Sequence, residues 1–140
     1  MRTRAHKSAR RYKLGRVVNR KKLIKMCDDL FRECIRARDK VCQKTGRKDN
    51  LQVAHFYTRS NLRIRWDFDN AVLLNGGTHL WWAHKHPYEF VEWWKKRLGG
   101  EKFELLNIKS RVQGPVKTFD IQMLVLDLKQ KLEYFKSEPS

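Results

Sequence analysis

The chain of 140 residues has a mass of 16.9 kDa, which fits one compact domain. Its 32 Lys and Arg residues against 15 Asp and Glu residues give a net charge of +17 and an isoelectric point near 10.2. No apolar run is long enough for a membrane span or a signal-peptide core, so a membrane or secreted protein is not expected. A hydrophobic content of 41% excludes a wholly disordered basic protein, and the charge favours an anionic partner.

The positive charge is concentrated near the N-terminus. Residues 1–25 contain 11 of the Lys and Arg residues and no acidic residue. Because the first part has few apolar side chains, residues 1–20 are predicted to form a flexible basic arm and residues 21–140 a folded domain. Such an arm, which includes Arg10 and Arg11, binds phosphates by charge without reading base sequence. A solvated solubility tail is the alternative.

Apolar spacing predicts a mostly helical α+β domain. Helices are predicted over 21–40, 79–86, 88–98, 101–109 and 118–135, strands over 51–57 and 71–74, and a hairpin or knuckle over 41–50. Thr78 is predicted to cap the helix that begins at His79. The three cysteines indicate a reducing compartment, and Cys27 and Cys34 are expected to be buried in the first helix.

Three polar residues follow one another on these elements in an informative order. His55 ends the first strand, Asn70 lies in a loop and His79 begins a helix. Phosphodiester hydrolysis needs a base for water, and a neutral imidazole serves near pH 7. A side-chain amide can orient that base, and a histidine on a helix can hold a divalent metal. This is the order of an HNH, or ββα-metal, nuclease site, so His55 is the candidate base, Asn70 its orienting residue and His79 the metal ligand.

Neighbouring side chains are candidates for supporting roles. Arg59, Arg63 and Arg65 are predicted to contact phosphates, with Arg63 and Arg65 on one face of a short extended segment or turn. Asp67 and Asp69 are possible additional metal ligands, although a turn carboxylate and an arginine partner are the alternatives. The basic face of the first helix is either solvated or in contact with DNA; it comprises Arg32, Arg36, Arg38 and Lys40.

His84 is the remaining possible metal ligand. It lies five residues after His79, about 140° around a regular α-helix, so a surface or DNA-facing position is expected for it and for His86. One histidine among oxygen ligands suits Mg²⁺ or Mn²⁺. Each of the pairs Trp81-Trp82 and Trp93-Trp94 is expected to place one ring in the core, with base stacking as the alternative role.

Short motifs around these residues resemble a known family. Two runs, 55–59 and 65–70, resemble the H-F-x-x-R and R-W-D-x-x-N motifs of the phage lambda NinG (Rap) family of recombination endonucleases. Residues 88–90 and 98–99 resemble a helix of that family that ends in Leu-Gly or Tyr-Gly. The resemblance spans about residues 30–134. It implies a treble-clef-like ββα-metal nuclease that cuts branched or single-strand-containing DNA in the cytoplasm of a phage-infected or lysogenic bacterial cell; a homodimer is possible.

The chain departs from this family at its zinc site. The two Cys-x-x-Cys pairs of the family fall at Cys42 and Thr45 and at Asn75 and Thr78. One thiolate cannot hold zinc, so no structural zinc is expected and tryptophan-rich packing would replace it. Ala54 stands where many HNH enzymes have a second metal-binding residue. A non-catalytic DNA-binding protein on the same scaffold is therefore one alternative. An RNA-binding accessory protein with a basic arm is a second.

Overall fold

The computed structural model describes residues 19–138, so most of the predicted basic arm, with Arg10 and Arg11, lies outside the described residues. The fold is a mixed α+β domain in which helices dominate. Its elements are α1 (Arg20–Asp39), β1 (Leu51–His55), a 3-10 turn (Phe68–Asn70), β2 (Ala71–Asn75), a π-helical segment (Thr78–Ala83), α2 (Pro87–Leu98), α3 (Gly100–Ser110) and α4 (Thr118–Ser137). Within residues 19–138, no helix has both the length and the apolar character needed to cross a membrane.

Helices α1 and α4 pack on each other. Asn19 caps α1, because its Oδ1 accepts a hydrogen bond of 2.8 Å from the backbone N–H of Lys21. The apolar stripes of the two helices are buried in one core: Leu23, Cys27, Phe31, Cys34 and Ile35 on α1, and Ile121, Val125, Leu128 and Leu132 on α4. Burial raises the pKa of the Cys27 and Cys34 thiols to about 11. Both thiols therefore stay protonated and pack as apolar groups, which confirms their predicted burial.

The two strands form an antiparallel pair with helices on both faces. Their register runs from Leu51 opposite Asn75 to His55 opposite Ala71. Every residue of β2 is buried, since one face of this strand covers the α1–α4 core and the other covers a second core. The strands therefore hold the end of β1, where His55 lies, between two packed layers.

The second core is built from aromatic side chains. Trp94 of α2 is fully buried whereas Trp93 is half-buried, and Trp82 is half-buried whereas Trp81 is exposed. One ring of each pair lies deeper than its neighbour, as predicted. Phe56, just after β1, packs on Trp94 with ring centres 5.3 Å apart. The segment that follows the candidate base is therefore anchored to α2.

The helical segment after β2 differs from its prediction in both type and start. Thr78 lies inside the segment and is not its cap. Gly77 is the cap residue and supplies no side-chain cap bond. Its backbone N–H donates a hydrogen bond of 3.0 Å to Oδ1 of Asn75, the last residue of β2. A π-helix closes bonds between residues five apart, so its turns are wider than those of an α-helix. Pro87, which lacks an N–H, then begins α2.

Candidate active site

His55 lies at the end of β1 with its ring half-buried. The ring stacks on Phe31 of α1, with ring centres 5.9 Å apart. Its Nε2 lies 2.9 Å from the backbone carbonyl oxygen of Arg65. Because a carbonyl oxygen only accepts hydrogen bonds, this contact places the proton on Nε2 and leaves Nδ1 as the unprotonated nitrogen of the neutral ring.

The surroundings of His55 favour its neutral form. Burial lowers the pKa of the ring below the ordinary value, and the hydrogen bond to the Arg65 carbonyl opposes this effect. The positive charges of Arg59 and Arg65 lower the pKa further, whereas the negative charge of Asp28 raises it. The ring is therefore neutral at pH 7 and able to accept a proton.

Asn70 is close to His55 in the fold, but its amide is used by the backbone around it. The residue is fully buried. Its Oδ1 accepts a bond of 2.8 Å from the N–H of Tyr57, and its Nδ2 donates to the carbonyl oxygens of Tyr57 and Ile64 at 3.2 and 3.0 Å. The predicted hydrogen bond from the imidazole to the Asn70 amide is therefore wrong. The imidazole donates to the backbone carbonyl of Arg65 instead, and Asn70 holds the loop that carries this carbonyl.

The three predicted phosphate-binding arginines occupy different positions. The Arg65 side chain is 17% exposed and binds Asp28 through bonds of 2.9 and 2.6 Å. Arg59 is 60% exposed and lies 3.0 Å from the same carboxylate. Arg63 lies elsewhere, with Nη2 3.4 Å from the carbonyl oxygen of Pro115. The prediction that Arg63 and Arg65 share a face is wrong because this segment forms turns. Of the three arginines, Arg59 is the one whose side chain is both near His55 and largely exposed to solvent.

A groove of about 280 Å³ lies between α1 and β1, beside His55. Arg32 and Arg36 of α1 and Arg59 of the following loop line it. Guanidinium groups bind phosphate oxygens by charge-assisted hydrogen bonds, so this groove suits a nucleic-acid backbone. Part of the basic face of α1 thus borders the site, whereas Arg38 turns inward to backbone carbonyls and a buried acid.

His79 on the π-helical segment and His84, the residue that follows this segment, form a close pair. Their ring centres are 4.8 Å apart. In a π-helix, residues five apart lie on the same side, so the expectation that His84 faces away from His79 is wrong. The Nδ1 of His79 lies 3.2 Å from Oε1 of Gln52 on β1. Two imidazoles and an amide therefore meet at the edge of the sheet.

The histidine pair and the candidate base lie in neighbouring grooves. Gln52 lines the groove of His55 and also a second groove of about 520 Å³, which His79 and His84 line. Burial lowers the pKa of His79, and the positive charges of His84 and His55 lower it further. Gln52 thus separates the groove of His55 from the groove of His79 and His84.

The donors of this pair fit a transition-metal ion better than Mg²⁺. Imidazole nitrogens suit ions such as Zn²⁺ and Ni²⁺ and bind Mn²⁺ more weakly, whereas Mg²⁺ prefers an octahedron of oxygens. Across residues 19–138, no three His, Cys, Asp or Glu side chains converge on one point. Among these residues, His79 and His84 are therefore a pair of candidate ligands without a third His, Cys, Asp or Glu beside them.

Asp67 and Asp69 do not join the histidine pair. The Asp67 carboxylate accepts a bond from the backbone N–H of Asp69 and pairs with Lys109 at 2.9 Å, so the turn-carboxylate alternative is confirmed. Asp69 uses its backbone carbonyl to accept a bond of 2.9 Å from the indole of Trp94. In the described part of the chain its carboxylate forms no salt bridge with an arginine, and neither acid completes a metal cluster.

Three of the four positions that the NinG resemblance assigns to zinc ligands lie together. Burial raises the pKa of the Cys42 thiol, but hydrogen bonds from the Thr45 hydroxyl and from backbone N–H groups, including that of Asn75, bring it below its ordinary value. A hydrogen bond of 2.8 Å from the Cys42 N–H to the Arg47 carbonyl closes the same knuckle. Hydrogen bonds thus hold together the knuckle over 42–47, where the NinG resemblance implies a structural zinc.

Two residues near the site were not predicted from the sequence. Asp28 binds Arg59 and Arg65 beside His55. It is next to Asp29 in the sequence, and no sequence motif indicates which of these two acids faces the site. A partial signal is its position one turn before Phe31, whose ring contacts the base. Strand alternation puts Gln52 on the face opposite His55, but β1 has an open edge, so Gln52 reaches both grooves.

No protein-family model matches this chain, and neither a curated protein nor a solved structure matches it. The functional inference therefore depends on the geometry of the three histidines, the arginine-lined groove and the short motifs in the sequence. The NinG resemblance stays a prediction.

Proposed function

We propose that this chain is a metal-dependent endonuclease of HNH type that hydrolyses phosphodiester bonds in DNA. The observation that carries the proposal is the placement of a neutral His55, held by a carbonyl, and the His79–His84 pair on either side of Gln52. The element order, two antiparallel strands followed by a helical segment, supports a ββα-metal core. The NinG resemblance adds branched or single-strand-containing DNA, in phage or prophage recombination, as the substrate.

In this mechanism His55 is the general base. Its Nε2–H stays bound to the Arg65 carbonyl, and Nδ1 takes a proton from water as the water oxygen bonds to phosphorus. The bond from phosphorus to the leaving oxygen breaks, and that oxygen takes a proton from solvent. The imidazolium then releases its proton to solvent. Because its pKa lies below the ordinary value, His55 returns to the neutral state at pH 7.

His79 and His84 are the residues that would hold the divalent metal. When bound, the metal would bind the scissile phosphate and stabilise negative charge on the leaving oxygen. The contact with the Gln52 oxygen places the His79 proton on Nδ1 and leaves Nε2 as the metal-binding nitrogen. Two imidazole donors favour Mn²⁺ over Mg²⁺. The lowered pKa of His79 keeps the ring neutral, which is the form that binds metal.

The arginines of the groove would bind the DNA backbone. Arg59 is exposed at its rim, and Arg32 and Arg36 line its wall. Their positive charge neutralises phosphates without reading bases. Arg65 has a different role, since its guanidinium is paired with Asp28 and its backbone carbonyl holds His55.

A non-catalytic DNA-binding protein on this scaffold is the second candidate. The observation in its favour is the limited donor set: Ala54, which precedes the base, is fully buried and faces the second core. That position therefore adds no ligand to the two imidazoles. A binder of this kind would keep full DNA affinity in EDTA and would not cut.

The deciding experiment compares cleavage of supercoiled and branched DNA by the wild type, His55→Ala and His86→Ala in Mn²⁺. His86 is the matched control because it is exposed and lies near the pair. We expect the wild type and His86→Ala to cut equally and His55→Ala to lose about 10²–10⁴-fold in rate. DNA affinity is measured separately in EDTA by fluorescence anisotropy. Equal cleavage by His55→Ala and wild type would refute the base, and DNA affinity without cleavage by the wild type would favour the binder.

A further inference from the structure

We propose that Asp28 of α1 is the positioning residue of the general base, because it fixes the peptide group whose carbonyl holds the His55 ring. This inference rests on the proposed function of His55. Asp28 lines the groove beside His55 but forms no hydrogen bond with the imidazole, so it acts on the ring through the loop that carries Arg65 and Trp66.

The Asp28 carboxylate accepts hydrogen bonds from three side chains. Its Oδ1 lies 2.9 Å from Nε of Arg65 and 2.8 Å from Nε1 of Trp66. Its Oδ2 lies 2.6 Å from Nη2 of Arg65 and 3.0 Å from Nη2 of Arg59. The side chain is 22% exposed, so these bonds form in a partly desolvated setting, where charged hydrogen bonds are strong.

The covalent connection explains why this clamp controls the base. The carbonyl that lies 2.9 Å from His55 Nε2 belongs to the peptide group between Arg65 and Trp66. Asp28 binds the side chain on each side of that peptide group, so it fixes the group's orientation as well as its position. A rotated carbonyl would release the ring or change the nitrogen that carries the proton.

Asp28 also supplies negative charge in a basic neighbourhood. The charged and titratable groups around His55 come from three elements: Asp28, Arg32 and Arg36 from α1, Arg59 and Arg65 from the loop, and His79 from the π-helical segment. Removing the carboxylate would leave Arg59 and Arg65 uncompensated beside the imidazole. The same change would free the Arg59 guanidinium at the groove rim.

A purely structural clamp between α1 and the loop would alter stability alone. A positioning role makes two additional demands. The titration of His55 must respond to Asp28, and the effect on DNA cleavage must appear in kcat more than in KM. Both are measurable on the full chain.

The experiment compares Asp28→Asn with Asp29→Asn. Asp29 is a matched control because it is the adjacent acid on α1 and pairs with Lys25 and Arg32 of the same helix. The His55 ring is titrated by proton NMR in EDTA without DNA, and cleavage is measured in Mn²⁺. For Asp28→Asn we expect the His55 midpoint to fall by about one pH unit and kcat to fall about tenfold or more. Asp29→Asn is expected to match the wild type.

Asp28→Glu separates charge from position and serves if Asp28→Asn does not fold. It keeps the negative charge, so we expect a His55 midpoint near that of the wild type, but a lower kcat because the longer side chain displaces the peptide group. Full activity of Asp28→Glu, or identical behaviour of Asp28→Asn and Asp29→Asn in both measurements, would overturn the proposal. If the wild type does not cut DNA while Asp28→Asn shifts the His55 titration, the nuclease function fails and the coupling of His55 to Asp28 stands.

Discussion

His55 is held by a network of hydrogen bonds that joins α1, β1 and the loop up to Trp66, whereas the His79–His84 pair stands on a short surface segment and meets the sheet through Gln52. We call these regions the base half and the metal half. The base half contains a fully buried amide and a carboxylate with three partners. The metal half contains an exposed ring, that of His84. The difference indicates that the protein fixes the position of His55 more firmly than that of the pair; under the proposed function, metal and phosphate would complete the metal half.

The largest loss of DNA cleavage is expected when both histidines of the metal half are replaced. His79→Ala combined with His84→Ala removes both imidazoles, so we expect cleavage to fall by about 10³-fold or more and Mn²⁺ binding to be lost. His84→Ala alone is expected to weaken Mn²⁺ binding by about tenfold. Isothermal titration calorimetry measures the binding, and His86→Ala is the control. Unchanged Mn²⁺ affinity in the double variant would place the metal elsewhere.

In the base half, Asn70→Ala is expected to act mainly on stability. The substitution leaves the buried N–H of Tyr57 and carbonyl of Ile64 without their partner, so we expect the free energy of unfolding to fall by about 2–4 kcal/mol. Urea denaturation measures this change. Asn19→Ala, which removes an exposed helix cap, is expected to lose about 1 kcal/mol. A loss no larger than that of Asn19→Ala would show that the base half is less preorganised than its hydrogen bonds indicate.

Acid should affect both halves in the same pH range. The pKa values of His55 and His79 lie below the ordinary value, so both rings stay neutral down to about pH 6.5. We expect the cleavage rate to be constant above this pH and to fall below it. The unfolded chain binds these protons more readily, so stability also decreases as pH falls from about 6.5 through the folded-state pKa values. An acid limb centred above pH 6.5 would contradict the neutral assignment.

The smallest effect is expected from Asp67→Asn. Its carboxylate pairs with Lys109 outside the histidine pair, and the salt bridge is partly exposed. We expect unchanged Mn²⁺ affinity and a stability change of less than about 1 kcal/mol. A loss of Mn²⁺ affinity in this variant would extend the metal half to the turn before β2 and break the comparison.

Much of the fold follows from sequence periodicity. The stripe from Leu23 to Ala37 predicted α1, because it reflects burial of one face. The alternation from Leu51 to Tyr57 predicted β1, although the strand ends at His55. The π-helical segment could not be predicted in this way. Its wider turns depend on tertiary contacts, and they bring His79 and His84 together where a regular helix would separate them.

The candidate site was predicted in part. Residue type and order in the sequence made His55 and His79 candidates, which they stay, and Asn70 lies near His55 with a role that the structure corrects. Backbone groups have no sequence signal, so the Arg65 carbonyl could not be predicted as the partner of the base. The Asp28 clamp was not predictable either, since it depends on the crossing of α1 and the loop after β1.

The most direct test of the account measures cleavage of supercoiled DNA by the wild type, His84→Ala and His55→Ala over a series of Mn²⁺ concentrations. We expect His84→Ala to regain the wild-type rate as Mn²⁺ rises, because metal completes that half. We expect His55→Ala to bind Mn²⁺ normally and to remain inactive at every concentration, because no metal replaces the base. Cleavage by His55→Ala at the wild-type rate, or cleavage by the wild type in EDTA, would contradict the account.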